Sequence, residues 1–505
     1  MCGLLVCLLA LVGGADCSGS SAEAVAGGRA PEPLPPEVIP FVQPPLAAMQ
    51  ASDRLVVAHW HQFPISRDPG SAEGDSYARM LAGDDDGMGI RLRPLGRPAR
   101  TGRDWEMADA LVDIRRAQAI GVDAFLLNVA TDMKNRWAWP EYIRYLQAAR
   151  QLGTGFRVAP NIDCVEPESG RGMAEAIVGQ LRDADALASP GQLRVDGRFV
   201  VGAFYANNCG VPYWTEFKGA MKAAGFDPFL VCVMLGGAYR PEFDGVCDAW
   251  SDWGRKDPGS ASESDYASRY AGAKGKPIMA AISVGDVRYR RNETIAYEQK
   301  GSETLRINWE EAIDTGADWA QLVTWNDIVE HSAFFPNTAQ QFAVYDLTAY
   351  YIAWFKTGKP PEIARDALYY FHRIARVPPA PRLRAGSWAN EVEAVAFLTA
   401  PAAVEIITET GTTRRDFPAG VHVLSAPLPD AGRPRFRIVR DGAVAAEVTS
   451  AYPIGPMPAR NDVVYRAGGS LRAEAGARGS AERVCRNGEP DPCLMNPMEP
   501  VWLAQ

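Results

Sequence analysis

Two carboxyl side chains and several amide and aromatic side chains stand together in one short stretch. Asp327 and Glu330 lie three positions apart, directly after an apolar run that ends at Trp325. On a helical turn this spacing places both carboxyl groups on the same side. Such a pair suits acid–base chemistry, in which one group donates a proton while the other activates water or attacks carbon. The structural alternative is that Asp327 or Glu330 only caps the next helix.

Further polar and aromatic residues follow other apolar runs, and we predict that they line the same site. Asp163 is a third candidate catalytic carboxyl group, and an ion pair with a buried arginine is its structural alternative. His59 and His61 alternate on one run, but no third metal ligand stands at a telling spacing, so we predict no metal. The predicted substrate-binding residues are His59, Trp60, Asn128, Asp252, Trp253, Trp325, Asn326 and His331, of which the tryptophans are alternatively core residues.

Several chemistries are disfavoured by the sequence. It contains neither a Gly-x-Ser-x-Gly elbow nor a His-Glu-x-x-His motif, which counts against serine esterases and zinc proteases. The formal net charge of −9 argues against nucleic acid as a partner, because phosphate binding requires a basic face. We predict no cofactor.

The elements that would position these residues alternate along the chain. Apolar runs typical of buried strands take turns with amphipathic stretches of helical periodicity, as in parallel β/α units. Eight runs fit one closed (β/α)8 TIM barrel, in which catalytic groups project from the carboxyl ends of the strands. An open doubly wound sheet is the alternative, but no Gly-rich phosphate fingerprint follows the first run. The predicted strands are 55–60, 123–129, 156–163, 199–205, 228–234, 245–250, 277–283 and 319–325, and the predicted helices are 105–120, 140–152, 173–187, 213–224, 262–273, 308–315 and 338–356.

A change of pattern near residue 376 predicts a second domain. Residues 377–381 read Val-Pro-Pro-Ala-Pro, a linker signature, and beyond them apolar and polar residues alternate in short runs. This pattern is typical of an antiparallel β-sandwich. We therefore predict a barrel over 51–376, a sandwich over 377–467 and a loosely ordered tail over 468–505. The predicted sandwich strands are 392–398, 403–407, 420–425, 435–439 and 445–450.

The amino-terminal region predicts export. Residues 1–15 contain an apolar stretch followed by small residues, as in a secretory signal peptide, and no later segment is apolar enough to span a bilayer. Residues 16–50 are rich in Ala, Gly, Pro, Ser and Glu, which predicts a disordered linker. The protein is therefore expected to be secreted, periplasmic or on the cell surface. Cys17, directly after the signal, is a candidate lipid anchor.

The remaining cysteines are expected to form disulfide bonds, because an oxidising compartment favours pairing. The predicted pairs are Cys164–Cys209, Cys232–Cys247 and Cys485–Cys493.

The stretch around the two carboxyl groups resembles a known family signature. Residues 322–332 read Leu-Val-Thr-Trp-Asn-Asp-Ile-Val-Glu-His-Ser, similar to the Thr-Trp-Asn-Asp-x-x-Glu-Ser-His signature of glycoside hydrolase family 71, the α-1,3-glucanases or mutanases. Residues 56–60, 121–128 and 156–163 resemble the first three strands of that family. Residues 392–401 and 417–425 resemble its β-sandwich, so the likeness covers roughly residues 55–465.

The resemblance implies an inverting endo-hydrolase of α-1,3-glucan. It implies that Asp327 and Glu330 are the catalytic carboxyl groups, and it suggests that Asp163, His59 and Trp325 line the substrate cleft. The chain departs from the family pattern at the mouth of the barrel. Ile328-Val329 replaces an aromatic-Gly pair, His331-Ser332 reverses the Ser-His order, the segment after the fourth strand lacks an expected acidic group, and residues 283–286 replace Ser-Pro-Trp-Phe.

These observations together predict a secreted glycoside hydrolase that acts on a polysaccharide, with an α-glucan as the expected substrate. One alternative is a retaining or substrate-assisted glycosidase acting on another α-glycan, which the stereochemistry of the product would reveal. Another is a non-catalytic glycan-binding protein on a barrel scaffold, which would bind polymer without releasing reducing ends.

Overall fold

The computed structural model describes most of the chain between residues 31 and 472. The described residues are 31–61, 91, 92, 95, 105–130, 138–165, 169–184, 187–236, 239–259, 269–273, 275–289, 294–378, 383, 387–457 and 462–472. The predicted signal peptide, Cys17, the Cys485–Cys493 pair, most of the predicted helix 262–273 and residues 473–505 lie outside them.

Strands and helices alternate first, and a run of strands follows. The helices are α1 (Leu46–Gln50), α2 (Trp105–Ala119), α3 (Ala138–Leu152), α4 (Gly170–Asp183), α5 (Ala206–Ala223), α6 (Glu303–Asp314) and α7 (Ala343–Thr357), with 3-10 turns at Pro36–Val38 and Pro241–Phe243. The strands are β1 (Val56–Trp60), β2 (Ala124–Ala130), β3 (Arg157–Asp163), β4 (Arg194–Val195), β5 (Arg198–Phe204), β6 (Pro228–Met234), β7 (Ala249–Asp252), β8 (Ile278–Ser283), β9 (Val287–Tyr289), β10 (Thr294–Ala296), β11 (Trp319–Val323), β12 (Ala367–His372), β13 (Glu391–Leu398), β14 (Ala402–Thr408), β15 (Gly411–Phe417), β16 (Gly420–Pro427), β17 (Arg435–Arg440), β18 (Ala443–Thr449) and β19 (Arg466–Gly469).

Eight parallel strands close into a barrel whose order follows the chain. The strands β1, β2, β3, β5, β6, β7, β8 and β11 pair in that order, and β11 pairs with β1 to complete the ring. Helices α2 to α5 follow the first four of these strands, and α6 and α7 flank β11. The predicted (β/α)8 TIM barrel is therefore confirmed, and the doubly wound alternative is wrong because the sheet has no open edge.

The inward side chains of the barrel change from apolar to polar along the strands. Val57, Leu126, Ala159 and Met279 belong to a buried apolar cluster inside the barrel. Because side chains alternate along a strand, residues two or four positions further on face the same way. Polar inward residues near the carboxyl ends are His59, Asn128, Asn161, Asp163, Ser251 and Ser283, and apolar Phe204 lies among them.

The segment before β1 packs on the barrel. Val38, Leu46 and Met49 are buried, and Leu46 and Met49 contact Ala353 of α7. The predicted disordered linker over 16–50 is therefore wrong for residues 31–50. Overall composition suggested disorder, but the apolar residues concentrated after Leu34 bury enough surface to order this part of the chain.

Two four-stranded antiparallel sheets form the carboxyl-terminal sandwich. One sheet has the order β16-β13-β12-β19, and the other has the order β15-β14-β17-β18. Strand β12 precedes the proline-rich linker but pairs with β13, so the sandwich begins before the predicted boundary at 377. Strand β19 extends to Gly469, one residue beyond the predicted start of the tail, because it pairs with β12.

Two disulfide bonds tie the barrel together, and both were predicted. Cys164 follows β3 and pairs with Cys209 in α5, and Cys232 in β6 pairs with Cys247 before β7. Among the described residues, no helix is long and apolar enough to cross a membrane.

Candidate active site

The acidic turn, residues 327–331, follows the carboxyl end of β11. Oδ1 of Asp327 accepts hydrogen bonds from the main-chain N–H groups of Val329 at 2.9 Å and Glu330 at 2.8 Å. The N–H of Asp327 donates to Thr324 Oγ1 at 2.8 Å. The capping alternative is thus partly realised, although Asp327 caps a turn and not a helix. The two amide donors stabilise a negative charge on the Asp327 carboxylate.

Glu330, on the same turn, is half-buried and lies among charged side chains from several segments. Its Oε1 is 2.9 Å from Nη1 of Arg288, which follows β8 on strand β9. Burial, with the nearby carboxylates of Asp327 and Asp286, raises the pKa of Glu330 to about 8, although Arg288 and Lys256 oppose the rise. This rise favours the protonated form of Glu330, which is the form that a general acid requires.

A chain of hydrogen bonds crosses the barrel interior beneath the mouth. Asn161 Nδ2 donates to Asn128 Oδ1 at 2.9 Å, and Asn128 Nδ2 donates to Asp163 Oδ2 at 3.0 Å. His59 Nδ1 lies 3.4 Å from Asn161 Nδ2. Burial raises the pKa of Asp163 and lowers the pKa of His59 well below its usual value. The barrel thus brings together three of the predicted site residues, His59, Asn128 and Asp163.

Trp253 forms an aromatic wall beside this polar chain. Its ring centroid lies 4.8 Å from that of His59 and 4.4 Å from that of Phe204, and the Lys256 ammonium lies 5.4 Å from it. Trp253 is half-buried and directly follows β7, at the carboxyl end of the barrel. A flat aromatic face in this position suits contact with a sugar ring.

Trp60 and Trp325 do not line the mouth, which corrects their predicted role. Both are buried in the apolar layer between the strands and the helices. The ring centroid of Trp60 lies 4.7 Å from that of Tyr145 in α3, and that of Trp325 lies 5.5 Å from that of Phe125. Trp60 follows the inward His59 directly, so strand alternation turns it outward.

Asp252 was predicted to bind substrate, but the structure places it away from the barrel interior. It is buried, forms an ion pair with Arg269 and accepts a hydrogen bond from the N–H of Gly254 at 2.8 Å. Ser251 faces the barrel interior, so the neighbouring Asp252 faces the outer layer.

Asn326 and His331 bind the main chain of neighbouring loops and were wrongly predicted to face a substrate. The Asn326 amide accepts from the N–H of His61 and donates to its carbonyl, both at 2.7 Å. His331 Nε2 accepts from the N–H of Arg91 at 2.9 Å, and Nδ1 lies 2.6 Å from the carbonyl of Val287. Burial lowers the pKa of His331 to about 4, so the ring is neutral and joins two loops.

Sequence reasoning missed two cations of the site, Lys256 and Arg288. Lys256 is buried, and its Nζ donates to Ser283 Oγ at 3.0 Å. Burial lowers the pKa of Lys256, which the charges of Asp286 and Glu330 oppose. Both cations lie in segments just after a strand end, and that position in the chain was the available signal. Among the described residues, no group of three or more His, Cys, Asp or Glu side chains is arranged to hold a metal ion.

Comparison with known proteins finds a matching family and similar proteins from one organism. Residues 99–457 match the model of glycosyl hydrolase family 71. Glucan endo-1,3-alpha-glucosidase agn1 from Schizosaccharomyces pombe is 23% identical over 390 residues, which cover 70% of this chain and 88% of that protein. An ascus wall endo-1,3-alpha-glucanase from the same organism is 25% identical over 257 residues, which cover 48% of this chain and 57% of that protein.

Solved structures of similar shape include the family GH99 endo-alpha-mannosidase from Bacteroides thetaiotaomicron. It shares 14% sequence identity and a TM-score of 0.46, and the match covers 60% of this chain and 98% of that one.

Proposed function

This chain belongs to glycosyl hydrolase family 71, and from that premise we propose that it is an inverting endo-hydrolase of α-1,3-glucan. The observation that carries the proposal is the acidic turn at the carboxyl end of β11. It carries Glu330, whose pKa is raised, and the Asp327 carboxylate, which two amide groups stabilise. The names of the two yeast relatives support the α-1,3 linkage.

The proposed reaction is a single displacement. Glu330 donates its proton to the glycosidic oxygen, and the bond from that oxygen to the anomeric carbon breaks. A water molecule attacks the same carbon from the opposite face, and the Asp327 carboxylate takes its proton. Inversion requires a distance of about 6.5–9.5 Å between the two carboxyl groups, which leaves room for the water.

We propose that the remaining residues of the mouth bind the substrate. The exposed part of Trp253 would stack on a sugar ring. Hydroxyl groups of the sugar would be bound by Asp163, Asn128 and His59. The hydrogen-bonded chain that connects these side chains through Asn161 fixes their orientation near the carboxyl ends of the strands.

We also propose that the protein works outside the cytoplasm. The Cys164–Cys209 and Cys232–Cys247 bonds support an oxidising compartment. A secreted or surface location suits an enzyme whose substrate is an insoluble polymer, and Cys17 is the proposed site of any lipid anchor.

The first test is the release of reducing sugar from insoluble α-1,3-glucan by the parent protein, Asp327→Asn and Glu330→Gln. The parent should be active and both variants should lose about a hundredfold or more, because each lacks one acid–base group. Asp416→Asn makes the same chemical change on an exposed carboxylate of β15 and should keep full activity. NMR of the first anomer released should show inverted configuration.

Other outcomes would replace the proposal. A product of retained configuration would indicate a retaining or substrate-assisted glycosidase. Carboxylate-dependent release from another polymer, but not from α-1,3-glucan, would keep the reaction and discard the substrate. Polymer binding without release from any substrate would indicate a glycan-binding protein.

A further inference from the structure

Arg288 connects Glu330 to a buried carboxylate on a different loop. Its Nε and Nη2 donate to the two oxygens of Asp286, at 2.9 and 2.6 Å. Its Nη1 lies 2.9 Å from Glu330 Oε1. The Asp286 side chain is 1% exposed and the Glu330 side chain 21%. Two parallel hydrogen bonds fix the plane of the guanidinium group, so its third nitrogen has a defined direction.

The main chain holds the same two segments in register. The N–H of Val287 donates to the carbonyl of Glu330 at 2.8 Å. The ring of His331 approaches the carbonyl of Val287 at 2.6 Å and, as the neutral Nδ1–H form, donates to it. Strand β9 is thus fastened to the acidic turn by bonds on both sides of Val287. Arg288 is the next residue, so a displacement of its main chain relative to Glu330 would break these two hydrogen bonds.

We propose that Asp286 and Arg288 act as a positioning pair, in which Asp286 orients Arg288 and Arg288 orients the Glu330 carboxyl group for proton transfer. This inference rests on the proposed role of Glu330 as the acid. Oε1 of Glu330 faces the Arg288 cation at 2.9 Å, which assigns the transferable proton to Oε2. When that proton moves to the glycosidic oxygen, the new negative charge on Glu330 already faces a guanidinium group.

The charges around Glu330 give the pair a measurable signature. Asp327 on its own turn and Asp286 on the preceding loop disfavour ionisation of Glu330, whereas Arg288 on β9 and Lys256 after β7 favour it. Removal of Arg288 should therefore raise the pKa of Glu330, and removal of the Asp286 charge should lower it. The acid must be protonated, so kcat should fall as the pH rises through this pKa.

The decisive measurement is a carbon-13 NMR titration of protein labelled at the glutamate carboxyl carbons. The Glu330 signal is the one that Glu330→Gln lacks. We expect Arg288→Gln to move its midpoint up by about one pH unit or more, and Asp286→Asn to move it down by a similar amount. This titration needs no substrate, so it tests the positioning pair independently of activity. A lack of activity on α-1,3-glucan would overturn the proposed function but not the pair.

Kinetics then separate orientation from charge. Arg288→Lys keeps the cation but loses the two parallel bonds to Asp286. If orientation matters, its kcat should fall about a hundredfold with little change in KM, while the Glu330 midpoint stays near the parent value. The controls are Arg440→Gln and Asp366→Asn, the corresponding ion pair of the sandwich at 2.6 Å, which should leave kcat and the midpoint unchanged.

Three results would overturn the proposal. The first is an unchanged Glu330 midpoint in folded Arg288→Gln. The second is a shift of the same sign in Arg288→Gln and Asp286→Asn. The third is full kcat in Arg288→Lys, which would reduce Arg288 to a simple counter-charge.

Discussion

At the residue scale, a glycine makes room for the amide chain inside the barrel. Asn161 is fully buried, and its side chain lies against Gly202 of the neighbouring strand β5. A Cβ atom at position 202 would be 2.2 Å from Asn161 Oδ1. Asn161 in turn holds Asn128, and Asn128 holds Asp163. The absence of one methyl group at position 202 therefore permits the orientation of Asp163, which we propose as a substrate ligand.

Gly202→Ala should displace Asn161 and so disturb Asp163. We expect a loss of about 1–3 kcal/mol in the free energy of unfolding, because the interior has no space for the methyl group. Activity on α-1,3-glucan should fall about tenfold or more, since the substrate ligands lose their alignment. Urea unfolding and initial rates measure the two effects.

Gly219→Ala in α5 is the matched control, because a Cβ there meets no other atom within 4 Å. It should be neutral, or stabilise by about 0.5–1 kcal/mol as alanine favours a helix. If Gly202→Ala were destabilised but fully active, the alignment of the Asn161–Asn128–Asp163 chain would not be needed for catalysis.

At the element scale, the β9–β10 hairpin contacts both the acidic turn and residues 462 and 463, which precede β19 in the sandwich. Tyr289 at the end of β9 accepts a hydrogen bond at its hydroxyl group from the N–H of Val463, at 2.9 Å. Arg91 lies over the Tyr289 ring and forms an ion pair with Asp462 at 3.2 Å. The hairpin that carries Arg288 is thus held on one side by the acidic turn and on the other by residues 462 and 463.

Tyr289→Phe should loosen this hairpin. The buried N–H of Val463 would lose its acceptor, at a cost of about 1–3 kcal/mol in the free energy of unfolding. Because Arg288 lies on the same hairpin, kcat should fall while KM changes little. Thermal unfolding and steady-state kinetics provide the measurement.

The comparison variant is Tyr239→Phe, whose hydroxyl group binds Asp244 at the surface. It should change stability by less than about 0.5 kcal/mol and leave kcat unaffected. If Tyr289→Phe behaved in the same way, the hairpin would not depend on the sandwich for its position.

At the scale of the whole molecule, buried polar groups join the barrel and the sandwich. Arg373, after β12, donates to Glu298 Oε1 at 2.9 Å, and the Tyr465 hydroxyl donates to the same oxygen at 2.9 Å. Glu393 of β13 accepts the N–H of Ser302, just before α6, at 2.8 Å. These contacts would be lost if either domain unfolded alone, which predicts a single cooperative unfolding transition.

Arg373→Met should weaken that coupling. Removal of one partner leaves the buried Glu298 charge without its cation, and we expect a cost of about 3–5 kcal/mol. Scanning calorimetry should show one transition for the parent and a broadened or divided transition for the variant. Arg414→Gln removes an ion pair of the sandwich surface and should cost less than about 1 kcal/mol. Two separate transitions in the parent would contradict the coupling.

Local sequence patterns predicted the order and type of most elements. Seven of the eight barrel strands lie where apolar runs predicted them, because a strand buried on both faces leaves a continuous apolar signal. The predicted strand 245–250 was placed too early, since β7 spans Ala249–Asp252. The acidic turn was recognised for a similar reason, since Asp327 and Glu330 lie within one local motif. Of the sandwich strands, β12, β15 and β19 were missed. β12 is buried throughout, β15 is largely exposed and β19 has only four residues, so none of them shows an apolar–polar alternation.

Which side chains face the mouth, and which charges meet there, depends on contacts between segments that are distant in the chain. The continuous apolar signal that reveals a barrel strand hides its inward face, so Trp60 and Trp325 were assigned to the cleft although they pack against helices. Asp252 was misassigned because Arg269, its partner, lies 17 residues away along the chain. Likewise Lys256, Arg288 and Glu330 come from three separate segments. Closure of the barrel brings the carboxyl ends of its strands together. A local sequence pattern therefore cannot predict that these three side chains meet.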